Sequence, residues 1–181
     1  MLNLQSYHIK GKKNLELFKE SQNRIKSIAL IHEKLCQSKD MARIDFKEYT
    51  ESLVSSLFRS YGLYPGKIAL KIETEKVLLG IDNAIPCGLI INELVSNSLK
   101  HAFPDGKKGE IKIGLHSNNE KDVELVVSDN GVGIPEGLDI RKTKSLGLHL
   151  VTILAEDQLH GQIKLSRKKG TKFQIRFSGV K

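Results

Sequence analysis

The stretch Glu93-Leu94-Val95-Ser96-Asn97-Ser98-Leu99-Lys100-His101 constrains this chain more than any other. Residues three and four apart share a helix face, so Glu93, Asn97, Lys100 and His101 line up as one polar stripe. The opposite face carries Ile91, Leu94, Val95, Ser98, Leu99 and Ala102, which suits packing on a sheet. The stripe sets a carboxylate and a carboxamide one turn apart, followed by a cation. An amide oxygen can ligate a hard cation and a lysine can meet phosphate charge, the needs of a magnesium–triphosphate. A solvated face of an amphipathic helix would carry the same residue types.

The neighbouring elements follow from periodicity. Met1 to His8 reads as the tail of a helix broken near Gly11, and Asn14 to Gln37 as a long helix without Pro or Gly. In it Phe18, Ile25 and His32 recur every seven residues, as do Ser21, Ile28 and Leu35. That is a rough heptad seam, which wants a partner helix, in part from a second chain. A further helix starts at Ile44-Asp45-Phe46 and runs to Gly62, with Phe46, Tyr49, Leu53, Leu57 and Tyr61 at helical spacing. Pro65-Gly66 marks a turn, and Lys67 to Thr74 alternates as a half-buried strand. Asp82-Asn83 offers an N-cap, with Pro86 tolerated in the first turn. Strands follow over Glu110 to His116 and Asp122 to Ser128, turning near Asn118-Asn119. Ser145 caps a helix from Leu146 to about Leu159. Gly161 to Arg167 and Lys172 to Phe177 close the chain as a hairpin. The sum is α+β: a helical segment over 1–43, then over 44–181 a mixed sheet with helices on one face.

Three more stretches carry candidate chemistry. Asp129-Asn130-Gly131-Val132-Gly133 ends a strand, setting a fixed carboxylate beside a Cβ-free turn. Such a carboxylate can accept the amino group of a purine, although an ordinary Asp-Asn-Gly turn fits too. Ser145-Leu146-Gly147-Leu148 opens a helix, where a glycine lets phosphate approach backbone N–H groups. Gly170-Thr171-Lys172-Phe173 offers a hydroxyl and a lysine to phosphate, or a simple hairpin turn.

Composition narrows the class. The 39% hydrophobic and 28% charged content fits a soluble globular chain of 181 residues. No apolar run approaches the ~20 residues of a membrane span, and no signal-peptide pattern is present. Cys36 and Cys87 match no metal spacing and read as small core residues in a reducing, cytoplasmic setting. The net charge of +8 falls in apparent turns without interleaved aromatics, which argues against a nucleic-acid surface. No Gly-x-Gly-x-x-Gly opens a βαβ unit, so a Rossmann fingerprint is excluded.

In this order the four stretches resemble the N, G1, G2 and final-turn boxes of the GHKL ATPase superfamily, which includes histidine kinases, gyrase B, Hsp90 and MutL. The match covers about Phe46 to Phe177. Glu93 to Pro104 looks like the histidine kinases of the HisKA_2 type, and Gln22 to Leu35 is similar to that group's second dimerisation helix. Only about ten residues separate Gly133 from Ser145, a short ATP lid as in that group. The resemblance implies a Bergerat-type α/β sandwich joined to a helical dimerisation and phosphotransfer module.

It also implies roles. Asn97 would ligate Mg²⁺ and Asp129 would hold the adenine amino group. Glu93 would sit near the γ-phosphate as acid/base or water-orienting group, with Lys100 and His101 on phosphate or sugar. Gly131 and Gly133 would shape the base pocket, Gly147 and Leu148 would present lid amides, and Thr171 would approach the nucleotide. The implied function is the ATP-binding catalytic part of a two-component sensor histidine kinase, passing phosphate to a histidine and then to a response regulator receiver domain. The implied assembly is a homodimer through the N-terminal helices.

The group's acceptor motif, a His-Arg-Val-Lys-Asn-Asn-Leu-like run, is absent from this sequence. Leu2-Asn3-Leu4-Gln5-Ser6 looks like the residues just C-terminal to that motif, and His8 departs from it. The chain therefore reads as a fragment cut inside the first helix, with sensor and acceptor upstream. His32 reads as a packed seam histidine. An anti-sigma-type serine kinase or a nucleotide-responsive interaction module are the alternatives.

Overall fold

The computed structural model describes residues 11–37, 43–62, 67–75, 77–118, 122–143 and 145–179. The expected helix tail over Met1 to His8, the Pro65-Gly66 turn and the centre of the Asn118-Asn119 turn lie outside the described residues.

The Pro- and Gly-free run forms α1, Lys12–Gln37. Asp45 ends strand β1 (Arg43–Asp45) and caps α2 (Phe46–Ser60), its carboxylate accepting from the Lys47 and Glu48 amides. Strand β2 (Ile68–Thr74) buries Ile68, with Leu70 and Ile72 half-buried. Strand β3 (Leu78–Gly80) pairs antiparallel with β1, so Ile44 is a strand residue and not a helix start. Helix α3, Ile81–Asn97, begins one residue before the expected Asp82-Asn83 cap. Asn83 is buried and its amide donates to the Ser178 carbonyl, so it ties the helix to the last strand instead of capping it. After Asn97 the helix widens into a π turn over Ser98–Ala102.

Strands β4 (Gly109–Asn118), β5 (Asp122–Asp129), β6 (Gln162–Ser166) and β7 (Thr171–Ser178) complete the main sheet, with α4 (Leu146–Ile153) and a second π turn (Leu154–Gln158) before β6. The order is β2-β4-β5-β7-β6, parallel between β2 and β4 and antiparallel elsewhere. The parallel pair needs a crossover, and α3 lies on it. The core fills the gap between α3 and the sheet. Ile90, Ile91, Leu94 and Val95 are buried with Ile111, Ile113, Leu115, Leu125 and Ile175, each contributing about 1.5–3 kcal/mol of burial.

Helix α1 packs on α2 and α3. Its buried face is Asn23, Ser27 and Ile31, whereas Ile25 (50%) and Ile28 (42%) are exposed. His32, expected to be packed, is exposed, and so is Cys36, expected in the core; Cys87 alone of the two cysteines is buried. The reason is polar. Tyr49 on α2 donates to the Ser27 carbonyl at 3.3 Å, its hydroxyl lies 2.8 Å from Ser27 Oγ, and Ser60 donates to Asn23. Those bonds turn the Asn23–Ser27–Ile31 face inward and leave Ile25, Ile28 and His32 outward. Gly88 makes the crossing possible, since a Cβ there would lie 2.1 Å from the Tyr49 hydroxyl oxygen.

Candidate functional site

Strand β5 delivers Asp129 to its end, 8% exposed, beside Thr171 of β7. Three donors hold the carboxylate: Ser98 Oγ to Oδ2 at 2.8 Å, and the Gly131 and Thr171 amides to Oδ1 at 3.0 and 3.3 Å. The turn after Asp129 is pressed against the end of the π turn. Val132 N donates to the Ala102 carbonyl, and a Cβ on Gly131 would lie 2.2 Å from that same oxygen. Gly133 has φ +78°, a conformation that favours glycine.

Asp129 opens into a cavity of about 250 Å³ whose walls include Leu94, Ala102, Val127, Ile134, Leu148 and Phe173, with Asn97, Ser98, His101, Gly133 and Thr171. One carboxylate in an apolar slot suits a flat ring that offers a donor.

A second cavity of about 190 Å³ is lined by Asn92, Glu93, Ser96, Lys100 and Gly147, and it shares Asn97, His101 and Ser145 with the first. Asn97 thus stands between a mainly apolar space and a charged one. Gly147 lies against the Glu93 carboxylate, where a Cβ would sit 2.7 Å from Oε2. Ser145 has an extended backbone but makes no capping bond with its side chain, which leaves the first amides of α4 without that partner.

The structure therefore brings Glu93, Asn97, Lys100, His101 and Gly147 to one space, and Asn97, His101, Asp129, Gly133, Leu148 and Thr171 to the other. Thr171 stands beside Asp129 and not beside Lys100, and Gly131 supports the turn from outside both cavities. Four further residues belong here. Ser98, counted with the sheet-packing face, orients Asp129. Arg24 of α1 binds Glu93 through two parallel bonds, Nε–Oε1 2.7 Å and Nη2–Oε2 2.9 Å. Asn92 donates to Glu93 Oε1 at 2.9 Å, and Glu20 of α1 holds the Lys100 ammonium.

The charges respond to these partners. The Glu93 hydrogen bond raises the Arg24 guanidinium above its ordinary value. Burial works against the Lys100 ammonium, yet Glu20 and Tyr61 outweigh it and its pKa lies above the usual lysine value. Among the described residues no three His, Cys, Asp or Glu side chains gather into a metal cage.

Residues 82–180 match the family model described as histidine kinase-, DNA gyrase B- and HSP90-like ATPase, and residues 1–61 match one described as histidine kinase. A sensor histidine kinase, PdtaS, of Mycobacterium tuberculosis is 28% identical over 179 residues, 97% of this chain and 35% of the relative. The serine-protein kinase RsbW of Listeria innocua is 30% identical over 83 residues, 38% of this chain and 52% of the relative. The chain thus spans about a third of the length of the sensor kinases it matches. The histidine kinase domain of a blue-light-activated histidine kinase from Erythrobacter litoralis superposes with TM-score 0.78 at 23% identity, covering 88% of this chain and 75% of that one. That likeness shows the fold, a mixed sheet with helices and a long N-terminal helix.

Proposed function

The chain belongs to the family of histidine kinase-, DNA gyrase B- and HSP90-like ATPases, and from that membership we propose that it is the catalytic part of a two-component histidine kinase. ATP would lie across the two cavities, adenine on Asp129 and phosphates toward Glu93, Asn97 and Lys100. The observation that carries this reading is the sharing of Asn97 by an apolar slot with one fixed carboxylate and a charged cavity beyond it.

ATP would supply the phosphoryl group when bound, and a Mg²⁺ held at Asn97 would offset the charge of its phosphates. Asp129, held by three donors, would accept the adenine amino group. Asn97 Oδ1 would bind the Mg²⁺. Lys100 and the N-terminal amides of α4 near Gly147 would stabilise phosphate charge, and Glu93 would take the acceptor's proton or orient a water. Such transfer depends on positioning and charge more than on covalent chemistry by the protein. Helix α1 over the charged cavity favours a histidine kinase over a serine kinase, because α1 lies within residues 1–61, which match the model described as histidine kinase.

The remaining proposals rest on the same reading. The division into a helical segment (1–43) and a catalytic unit (44–181) is supported by Ile44 and Asp45, which pair with Leu79 and Leu78 of β3 while Asp45 caps α2; Arg43, the first residue of β1, pairs with Gly80. The exposed Ile25 and Ile28 support pairing of α1 with a second copy. A response regulator receiver domain is the expected final acceptor and the cytoplasm the expected compartment; among the described residues no helix is long and apolar enough to cross a membrane.

Titration with a fluorescent ATP analogue, with and without Mg²⁺, tests the reading. Saturable, Mg²⁺-dependent binding lost in Asn97→Ala is expected, as is transfer from ATP to a histidine-bearing helical domain supplied in trans. Binding unaffected by Asn97→Ala would show that the cleft is misassigned.

A further inference from the structure

Helix α1 meets the charged cavity with charges of its own. Leu17 and Glu20 line that cavity, and Glu20 pairs with Lys100. One turn further along, Arg24 occupies both oxygens of Glu93, in a pair whose side chains are 18% and 5% exposed. The two pairs have opposite sense: α1 offers an anion to the cation and a cation to the anion. Both of their partners, Lys100 and Glu93, stand where the nucleotide reading puts the terminal phosphate.

The cavity is also incompletely satisfied. Asn92 Oδ1 and Ser96 Oγ are buried without a hydrogen-bond partner among the described residues, and both residues line the cavity. Buried polar atoms are normally paired, so such orphans suit a space that receives a polar ligand. Among the described residues lining the Asp129 cavity none comes from α1; the ion pairs of α1 with Glu93 and Lys100 lie at the phosphate end.

Resting on the nucleotide reading, we propose that α1 competes with the terminal phosphate of ATP: Glu20 occupies Lys100 in the phosphate's stead while Arg24 withholds Glu93. A carboxylate and a phosphate oxygen make the same charge-assisted bond to an ammonium, so one displaces the other. ATP binding then loosens α1 from α3 by the same factor by which docked α1 weakens ATP. Adenosine, with no phosphate, is indifferent to α1.

The test uses the chain with Glu20→Gln beside the parent, with Mg-ATP and adenosine each displacing a fluorescent nucleotide. Mg-ATP should bind the variant about 2- to 5-fold more tightly, the scale of one partly exposed ion pair, with adenosine unchanged. A second measurement needs no variant: amide hydrogen exchange over residues 12–37 should speed up when Mg-ATP is added to the parent, and stay constant with adenosine. Equal Mg-ATP affinities in parent and variant, or equal tightening for adenosine, overturn the proposal, as does exchange in α1 that ATP leaves unaltered. A parent that binds neither ligand overturns the nucleotide reading itself, and this inference with it.

Discussion

Ser98 Oγ donates to Asp129 Oδ2 at 2.8 Å across 31 residues of sequence, joining the π turn after α3 to the end of β5. The bond fixes the rotation of the carboxylate that faces the apolar cavity. Hydrogen bonds to charged groups contribute about 1.5–3 kcal/mol. Ser98→Ala should therefore weaken ATP-analogue binding roughly 10- to 100-fold while the far-UV circular dichroism stays that of the parent. Unchanged affinity would mean that the two backbone amides orient Asp129 without help.

Asp129→Asn separates charge from shape. Oδ1 keeps the Gly131 and Thr171 amides, so the turn should survive. The new amide replaces Oδ2, and the serine hydroxyl can rotate to accept from it. The adenine amino group then meets no acceptor there, and affinity should fall about 10- to 100-fold. Competition by adenosine and by inosine reads this directly: the parent should prefer adenosine clearly and the variant should not. A variant that retains the full preference would place the base elsewhere.

Much of this site is visible in the sequence because it obeys local periods. Glu93, Asn97 and Lys100 fall on one face at helical spacing, and Asp129 ends an alternating strand just before two glycines. What is hidden depends on tertiary partners. Ser98 looks like a small residue on the sheet-packing side until β5 brings Asp129 to it. The register of α1 is hidden for the same kind of reason. Its apolar residues Ile25 and Ile28 form a seam for a partner helix, whereas the face docked on this chain holds Asn23, Ser27 and Ile31. Polar bonds to Ser60 and Tyr49 select that face, and hydrophobic periodicity does not register them. Arg24 finds Glu93 from 69 residues away, a pairing that no local pattern announces.

Gly131 and Gly137 make a matched pair for testing close packing. A Cβ on Gly131 would lie 2.2 Å from the Ala102 carbonyl oxygen, whereas Gly137 has nothing within 4 Å. Gly131→Ala must push backbone against backbone, at a cost of about 1–3 kcal/mol. A melting temperature several degrees lower, with weaker nucleotide binding, is expected for it and neither change for Gly137→Ala. Similar melting curves for the two variants would count against the tight contact.

The Arg24–Glu93 pair predicts a non-additive double mutant. Arg24→Ala strands a carboxylate whose side chain is 5% exposed, leaving Asn92 as its remaining side-chain donor. Removing one partner of a buried pair costs about 3–5 kcal/mol, and the 18% exposure of Arg24 lets water reduce that. Glu93→Gln keeps the shape and discharges the site, so it leaves Arg24 with a neutral acceptor and access to solvent. The double variant should then be more stable than the sum of the two losses, with a coupling of about 1–3 kcal/mol in urea unfolding. Strict additivity would mean that the two side chains do not interact in solution.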